Sequence, residues 1–132
     1  MTAALSPEEL SAIITEIYDA FNARDIDGVL ANLAPGVEWE NGIAGGRIVG
    51  RDAVRAYWQR QWNETDPRVE PMRIEVAPDG KVHVRVDQLV RDKAGKILVN
   101  DQVGHVFTFD GPFITRMDVV EVLAEDDDED DE

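Results

Sequence analysis

The chain has 132 residues, 28 of them acidic and 13 basic, for a net charge of −15, with no cysteine and two histidines. That length fits one domain that buries a single core without covalent staples. Disulfides, thiolate chemistry and cysteine-ligated zinc are excluded, two histidines are too few for most all-histidine metal sites, and no apolar run approaches the ~18 residues of a membrane span.

No metal or other cofactor is therefore expected. Met1 to Leu5 has neither a basic start nor a long apolar stretch, so no secretory signal is expected and a cytoplasmic location is the default. Every residue from Glu125 to Glu132 is acidic. Such a block repels itself, so residues 124–132 are expected to form a disordered tail after a folded domain spanning 1–123. The tail reads as a solubilising extension or as a docking segment for a basic partner. The remaining body is mildly acidic, which argues against nucleic acid, whose phosphates need Lys and Arg.

Ser6-Pro7-Glu8-Glu9 is a helix start: Ser6 can cap, Pro7 suits the first turn and Glu9 completes a capping box. Leu10, Ile13, Ile14, Ile17, Tyr18 and Phe21 then recur at helical spacing on one face. Asp25 can cap a second, shorter helix with Val29, Leu30 and Leu33 inward, stopped by Pro35-Gly36. Val37 to Asn41 reads as a short strand, and the glycine-rich stretch from Gly42 to Gly50 as a loop. Asp52 to Asn63 forms a third helix, with Val54, Tyr57, Trp58, Gln61 and Trp62 along one stripe. Pro67 and Pro71 bracket an irregular strand start. Strands are then expected over Met72–Ala77, Lys81–Arg91, Lys96–Phe109 and Phe113–Leu123, separated by turns rich in Gly, Asp and Pro. Three helices followed by a meander of long strands give an α+β fold with the helices on one sheet face.

Tight turns set the register of such hairpins. Opposing Arg91 to Lys96 pairs Val86 with Asp101, Val84 with Val103 and Val82 with His105. Opposing Phe109 to Phe113 pairs His105 with Met117, Val103 with Val119 and Asp101 with Glu121. One face then carries Val82, Val84, Val86, Gln88, Val103, Phe107, Thr115, Met117 and Val119, which should meet the helices. His83, Arg85, Asp87, Gln102, Thr108, Arg116 and Asp118 face the other way. Three titratable groups interrupt the apolar face: Asp101, His105 and Glu121. A buried ionisable group must be satisfied or lose its charge, so these are the catalytic candidates. Asp101 and His105 lie four residues apart on one strand, roughly 13 Å at ~3.3 Å per residue, too far for a direct hydrogen bond. Asp101 and Glu121, as cross-strand neighbours, would share a proton in a dry site, or lie solvated at its rim.

The segment order resembles the nuclear transport factor 2-like superfamily, of the SnoaL-like and ketosteroid isomerase kind. The residues that carry the likeness are Val37-Glu38-Trp39, Gly50-Arg51-Asp52-Ala53-Val54-Arg55-Ala56-Tyr57-Trp58 and Val103-Gly104-His105-Val106-Phe107-Thr108-Phe109-Asp110. The resemblance implies a cystatin-like α+β roll, a cone-shaped curved antiparallel sheet packed on three N-terminal helices around one pocket. It also implies pairing of two copies through the outer sheet face, where Leu89, Val106, Val120 and Val122 leave apolar patches. Carried over position by position, the isomerase's Asp base falls at Trp39 and its oxyanion tyrosine at Ile17, beside Tyr18. Its supporting tyrosines fall at Leu33 and Trp58, and its protonated Asp at His105. None matches in kind, so a pocket for a small apolar molecule is implied and steroid isomerisation is not. The Asp-Arg-Asp set of limonene-type epoxide hydrolases is not evident on the inward face, because Arg85 and Arg116 point outward.

The pocket is expected to be walled by Tyr18, Trp39, Tyr57, Trp58, Val84, Val103, Phe107 and Met117, with His105 near Trp39 or Tyr57 as hydrogen-bond donor or general base. Burial without a charge partner should lower its pKa and keep it neutral at pH 7. Three functions fit: a small-molecule enzyme of isomerase, cyclase or hydrolase type, a ligand-binding module without chemistry, and an association domain whose pocket is filled by its own side chains.

Overall fold

The computed structural model of the chain describes residues 5–40 and 46–121. The acidic tail and Val122 lie outside the described residues. Helix α1 covers Pro7–Asn22, α2 Ile26–Leu30 and α3 Arg51–Glu64; the strands are β1 Leu33–Glu40, β2 Arg47–Val49, β3 Thr65–Val76, β4 Val82–Asp92, β5 Ile97–Asp110 and β6 Phe113–Glu121. The three helices pack against a curved mixed sheet in the order β2-β1-β6-β5-β4-β3. Every neighbouring pair is antiparallel except β1–β6, which is parallel.

Local chemistry explains the helix starts. Ser6 Oγ accepts from the Glu9 amide at 3.1 Å while the Ser6 amide donates to Glu9 Oε1 at 2.8 Å, so two otherwise orphaned donors are satisfied. Asp25 Oδ1 accepts from the Gly28 amide at 3.1 Å. Gly50 enters α3 at φ +94°, a conformation that favours glycine, and its amide donates to Val37 O at 2.8 Å. That bond ties the start of α3 to β1. At the far end of α1, Asn22 Nδ2 donates to Val69 O at 2.6 Å and Oδ1 accepts from Val69 N at 3.0 Å. The side chain thus pairs with the free edge of β3 as a strand would, fixing Phe21 close to Val69.

The expected loop from Gly42 to Gly50 contains strand β2, paired with β1, while its residues 42–45 lie outside the described residues. Two further boundaries differ from expectation around proline. Helix α2 ends at Leu30, and Pro35 sits inside β1, where the register against β6 shifts between Leu33 and Glu38. A proline lacks the amide a ladder needs, so it belongs at such an irregularity. Strand β3 starts at Thr65, directly after α3, and pairs with β4 through Pro67 and Pro71. It is a sheet edge, where a missing donor is tolerated, and its register shifts between Pro71 and Arg73.

Both hairpin registers also differ. The structure opposes Val86 to Val103, Val84 to His105 and Val82 to Phe107; across the next pair it opposes His105 to Val119, Phe107 to Met117 and Val103 to Glu121. Each hairpin accumulates two one-residue offsets. The pairing at each turn is offset by one residue from expectation, with Arg91 opposite Ile97 and Phe109 opposite Ile114, and a bulge adds a second offset at Val90/Arg91 and at Thr108/Phe109. Because side chains alternate with period two, the offsets cancel in parity and Val82, Val84, Val86, Val103, His105, Phe107, Met117 and Val119 stay inward; Thr115, expected among them, falls at the β6 bulge, and Ile114 enters the core instead.

The core lies between the helices and the concave sheet face. Ile14, Leu33, Val37, Val54, Val82, Val86 and Ile114 are essentially inaccessible. Among the described residues, no helix is long and apolar enough to cross a membrane.

Candidate active site

A cavity opens between the helices and the strands. Helix α1 contributes Ile17, Tyr18 and Phe21, α2 contributes Val29, and α3 contributes Tyr57 and Trp58. From the sheet come Trp39 and Glu40 of β1, Val69 of β3 and Gln88 of β4. Strand β5 adds Val103, His105 and Phe107, and β6 adds Met117 and Val119. The cavity volume is about 70 Å³.

His105 and Tyr18 form the polar centre of this lining. Tyr18 Oη lies 2.6 Å from His105 Nδ1, and the two rings are parallel within 4°, with centroids 6.0 Å apart. Phe107 stands edge-on to both rings, 6.3 Å from Tyr18 and 6.1 Å from His105. Trp39 meets Phe107 at 6.3 Å. On the helical side Phe21 packs edge-on against Trp58 at 4.6 Å, and Tyr57 against Trp58 at 4.8 Å. These edge-to-face arrangements set the positive rim of one ring against the negative face of the next.

Burial governs the protonation states. Desolvation lowers the His105 pKa to about 4 and raises that of Tyr18 well above the ordinary phenol value. At pH 7 the pair is therefore a neutral imidazole and a neutral phenol. Desolvation also raises the Tyr57 pKa, against a lowering contribution from Arg60.

The site residues expected from sequence separate into two groups. Tyr18, Trp39, Tyr57, Trp58, Val103, His105, Phe107 and Met117 meet around the cavity. Val84 does not line it: opposite His105 on β4 and only 2 % exposed, it packs in the core. Asp101 is exposed and its neighbour on β4 is Gln88. Glu121 opposes Val103 rather than Asp101, so strand pairing creates no proton-sharing carboxylate pair, and the Glu121 side chain lies outside the described residues. The register slip is the cause of both corrections. The polar partner of His105 is Tyr18, not Trp39 or Tyr57.

Glu40 is the lining group that sequence reasoning missed. Its Oε1 accepts from the Val119 amide at 2.8 Å, just past the last β1–β6 pair at Trp39 and Met117. A strand-end carboxylate capping its neighbour depends on the parallel β1–β6 pairing, which leaves no local signal. On the outer face, Arg47 reaches Asp118 at 2.8 Å, and Arg116 reaches Glu38 at 3.0 Å and Asp118 at 3.1 Å. Burial alone would raise the Asp118 pKa; the hydrogen bonds and charges of Arg116 and Arg47 outweigh it and lower the value. Among the described residues, no cluster of three or more His, Asp or Glu is placed to hold a metal.

The fold is shared with several solved structures. An NTF2-like protein of unknown function from Burkholderia pseudomallei is 26% identical, with a TM-score of 0.76 over 92% of this chain and 95% of that one. TerC co-crystallised with polyporic acid is 23% identical, with a TM-score of 0.74 over 93% and 97% of the two chains. An M. tuberculosis LEH-like epoxide hydrolase is 22% identical, with a TM-score of 0.74 over 86% and 82%. None of the curated proteins matches the chain in sequence. The SnoaL-like domain model matches residues 14–117, which take in the second half of α1, all of α2 and α3, the aromatic walls and the Tyr18–His105 pair, and the chain belongs to that family.

Proposed function

We propose that the protein takes a small, largely apolar molecule into this cavity, with His105 as its polar contact, as hydrogen-bond donor or general base. One observation carries the reading: an imidazole hydrogen-bonded at 2.6 Å to a buried tyrosine within a lining of aromatic and aliphatic side chains. Apolar walls with a few placed polar groups are the usual make-up of a small-molecule site. A pair built only to fill a core would need no space beside it, and here the space remains. The co-crystallisation of TerC with polyporic acid and the epoxide hydrolase neighbour support small-molecule binding by a protein of this fold. Isomerase, cyclase or hydrolase chemistry would use the neutral imidazole as acid or base; a binding module would use the same contact without turnover.

Trp39 and Trp58 line the cavity, so their fluorescence reports on its occupancy. A panel of small ring ketones, alcohols and epoxides should quench it saturably, and His105→Ala should abolish the response while far-UV circular dichroism stays native. An unchanged response in the variant would refute the assignment. We further infer a homodimer through the outer sheet face, where Leu89 and Val120 stand among charged residues; a sedimentation mass equal to the 14.7 kDa monomer at micromolar concentration would refute it.

A further inference from the structure

We propose that the cavity selects an uncharged ligand of one or two rings through its carbonyl oxygen, which accepts a hydrogen bond from His105 Nε2, with Tyr18 as the positioning residue that fixes this polarity. The proposal rests on the reading of the cavity as a ligand site and deepens it by naming the ligand class.

Polarity comes first. A phenol is a good donor and a poor acceptor, whereas an unprotonated imidazole nitrogen is a good acceptor. The contact of 2.6 Å between Tyr18 Oη and His105 Nδ1 is therefore O–H···N, with tyrosine donating. A neutral ring carries one proton, so accepting at Nδ1 places that proton on Nε2. His105 has no other hydrogen bond or ion pair among the described residues, and it lines the cavity. The group left to meet a ligand is thus an N–H. It complements a carbonyl or ether oxygen and mismatches a donor. The same tautomer lacks the lone pair a general base needs on that side, so His105 acts as a donor rather than as a base.

Charge comes second. No Lys or Arg lines the cavity among the described residues, and the Glu40 carboxylate at its edge is already engaged by the Val119 amide and lies near Arg47, so no free cation meets an anion there. A carboxylate ligand would leave water with no cation to meet it, which is costly in an apolar site. The whole chain, at −15, adds a field of the same sign. Size comes third. The cavity is small, with a volume of about 70 Å³, and a ligand of one ring or two fused rings suits it.

The test uses a matched set on the intact protein at pH 7: 1-indanone, indane and indane-1-carboxylate, followed by tryptophan fluorescence and calorimetry. Indanone should bind at least tenfold more tightly than indane, and the carboxylate should not bind at tenfold higher concentration. Nitrogen-15 spectra of the histidine ring should show the proton on Nε2. In Tyr18→Phe the ring is kept and the fixed tautomer is lost, so the spectrum should shift toward a tautomer mixture and the preference for indanone over indane should shrink several-fold. A melting curve of the variant separates this from unfolding. Equal binding of indanone and indane, a proton on Nδ1 in the wild type, or tight binding of the carboxylate overturns the proposal while the ligand site stands. Failure of all three compounds to bind overturns the site as well.

Discussion

The two faces of β6 carry opposite solutions to the same electrostatic problem. Met117 and Val119 point into the cavity, where the polar pair beside them, Tyr18 and His105, is held neutral by burial. Arg116 and Asp118, the alternating residues, point outward and join Arg47 and Glu38 in ion pairs that water partly solvates. Charge is inexpensive where solvent reaches and costly where it does not, so one strand sorts its side chains by period two into an ionic face and a neutral one. The inner polar pair cannot be exchanged for charge without loss, whereas the outer network can lose a member and be partly replaced by water. Substitutions on the two sides should therefore differ in size, in pH dependence and in salt dependence.

The largest effect is expected at Phe107. It is 1 % exposed and touches Tyr18, His105 and Trp39 edge-on, so it is the wedge that holds the polar pair against the aromatic wall. Phe107→Ala leaves a cavity that the rigid strand cannot close, at a cost of about 3–5 kcal/mol. Urea unfolding followed by circular dichroism measures it, and a loss below about 1 kcal/mol would show that the neighbours collapse into the gap.

The next effect is a pH dependence that only the inner face can produce. The folded pKa of His105 is lowered to about 4, whereas an unfolded histidine titrates near 6.5. Between those values the unfolded chain binds the extra proton and the folded chain does not, so stability falls as pH drops from about 6.5 toward 4 and loses nothing further from this group below 4. Over two pH units the loss is on the order of 2–3 kcal/mol, at 1.36 kcal/mol per unit. Carboxylates titrate in the same window, so the diagnostic quantity is the difference between wild type and His105→Gln, which should be flatter from pH 6.5 to 4.5. Parallel curves for the two proteins would place the ring in water.

How much of this was legible in the chain depends on the range of the interaction. The capping box at Ser6 and Glu9, the α1 stripe ending in Tyr18 and Phe21, and the inward parity of Val103, His105 and Phe107 depend on neighbours a few residues apart, and the sequence displays them directly. The placement of Asp101 and Glu121 depended on the pairing at two turns and on two bulges, and it failed, although the faces of Val103, His105, Phe107, Met117 and Val119 survived the same error. The Tyr18–His105 bond joins residues 87 positions apart, and the Asn22–Val69 clamp joins residues 47 apart. Such contacts require the packing of α1 on the sheet, which no periodicity states. Glu40 was hidden for a related reason: its role follows from the single parallel pairing, between strands at opposite ends of the chain.

The smallest effect belongs to the outer face. Arg47 donates to Asp118 at 2.8 Å and lies 3.8 Å from Glu40, with its side chain 28% exposed. Pairs of this kind contribute roughly 0.2–1 kcal/mol, because water competes for both partners and two side chains must be ordered. Arg47→Gln should fall in that range, and the Asp118 pKa should move back up, because one of the two guanidinium groups that lower it is gone. Salt distinguishes the faces here: raising ionic strength from about 0.01 M to 1 M shortens the screening length from roughly 30 Å to 3 Å. The gap between wild type and Arg47→Gln should close under that change, while the gap between wild type and Phe107→Ala should not. A double-mutant cycle of Arg47→Gln with Asp118→Asn at both salt concentrations isolates the pair. A coupling that persists at high salt would mean that this side of β6 is as dry as the cavity side, and that strand parity does not sort charge from neutral polarity in this domain.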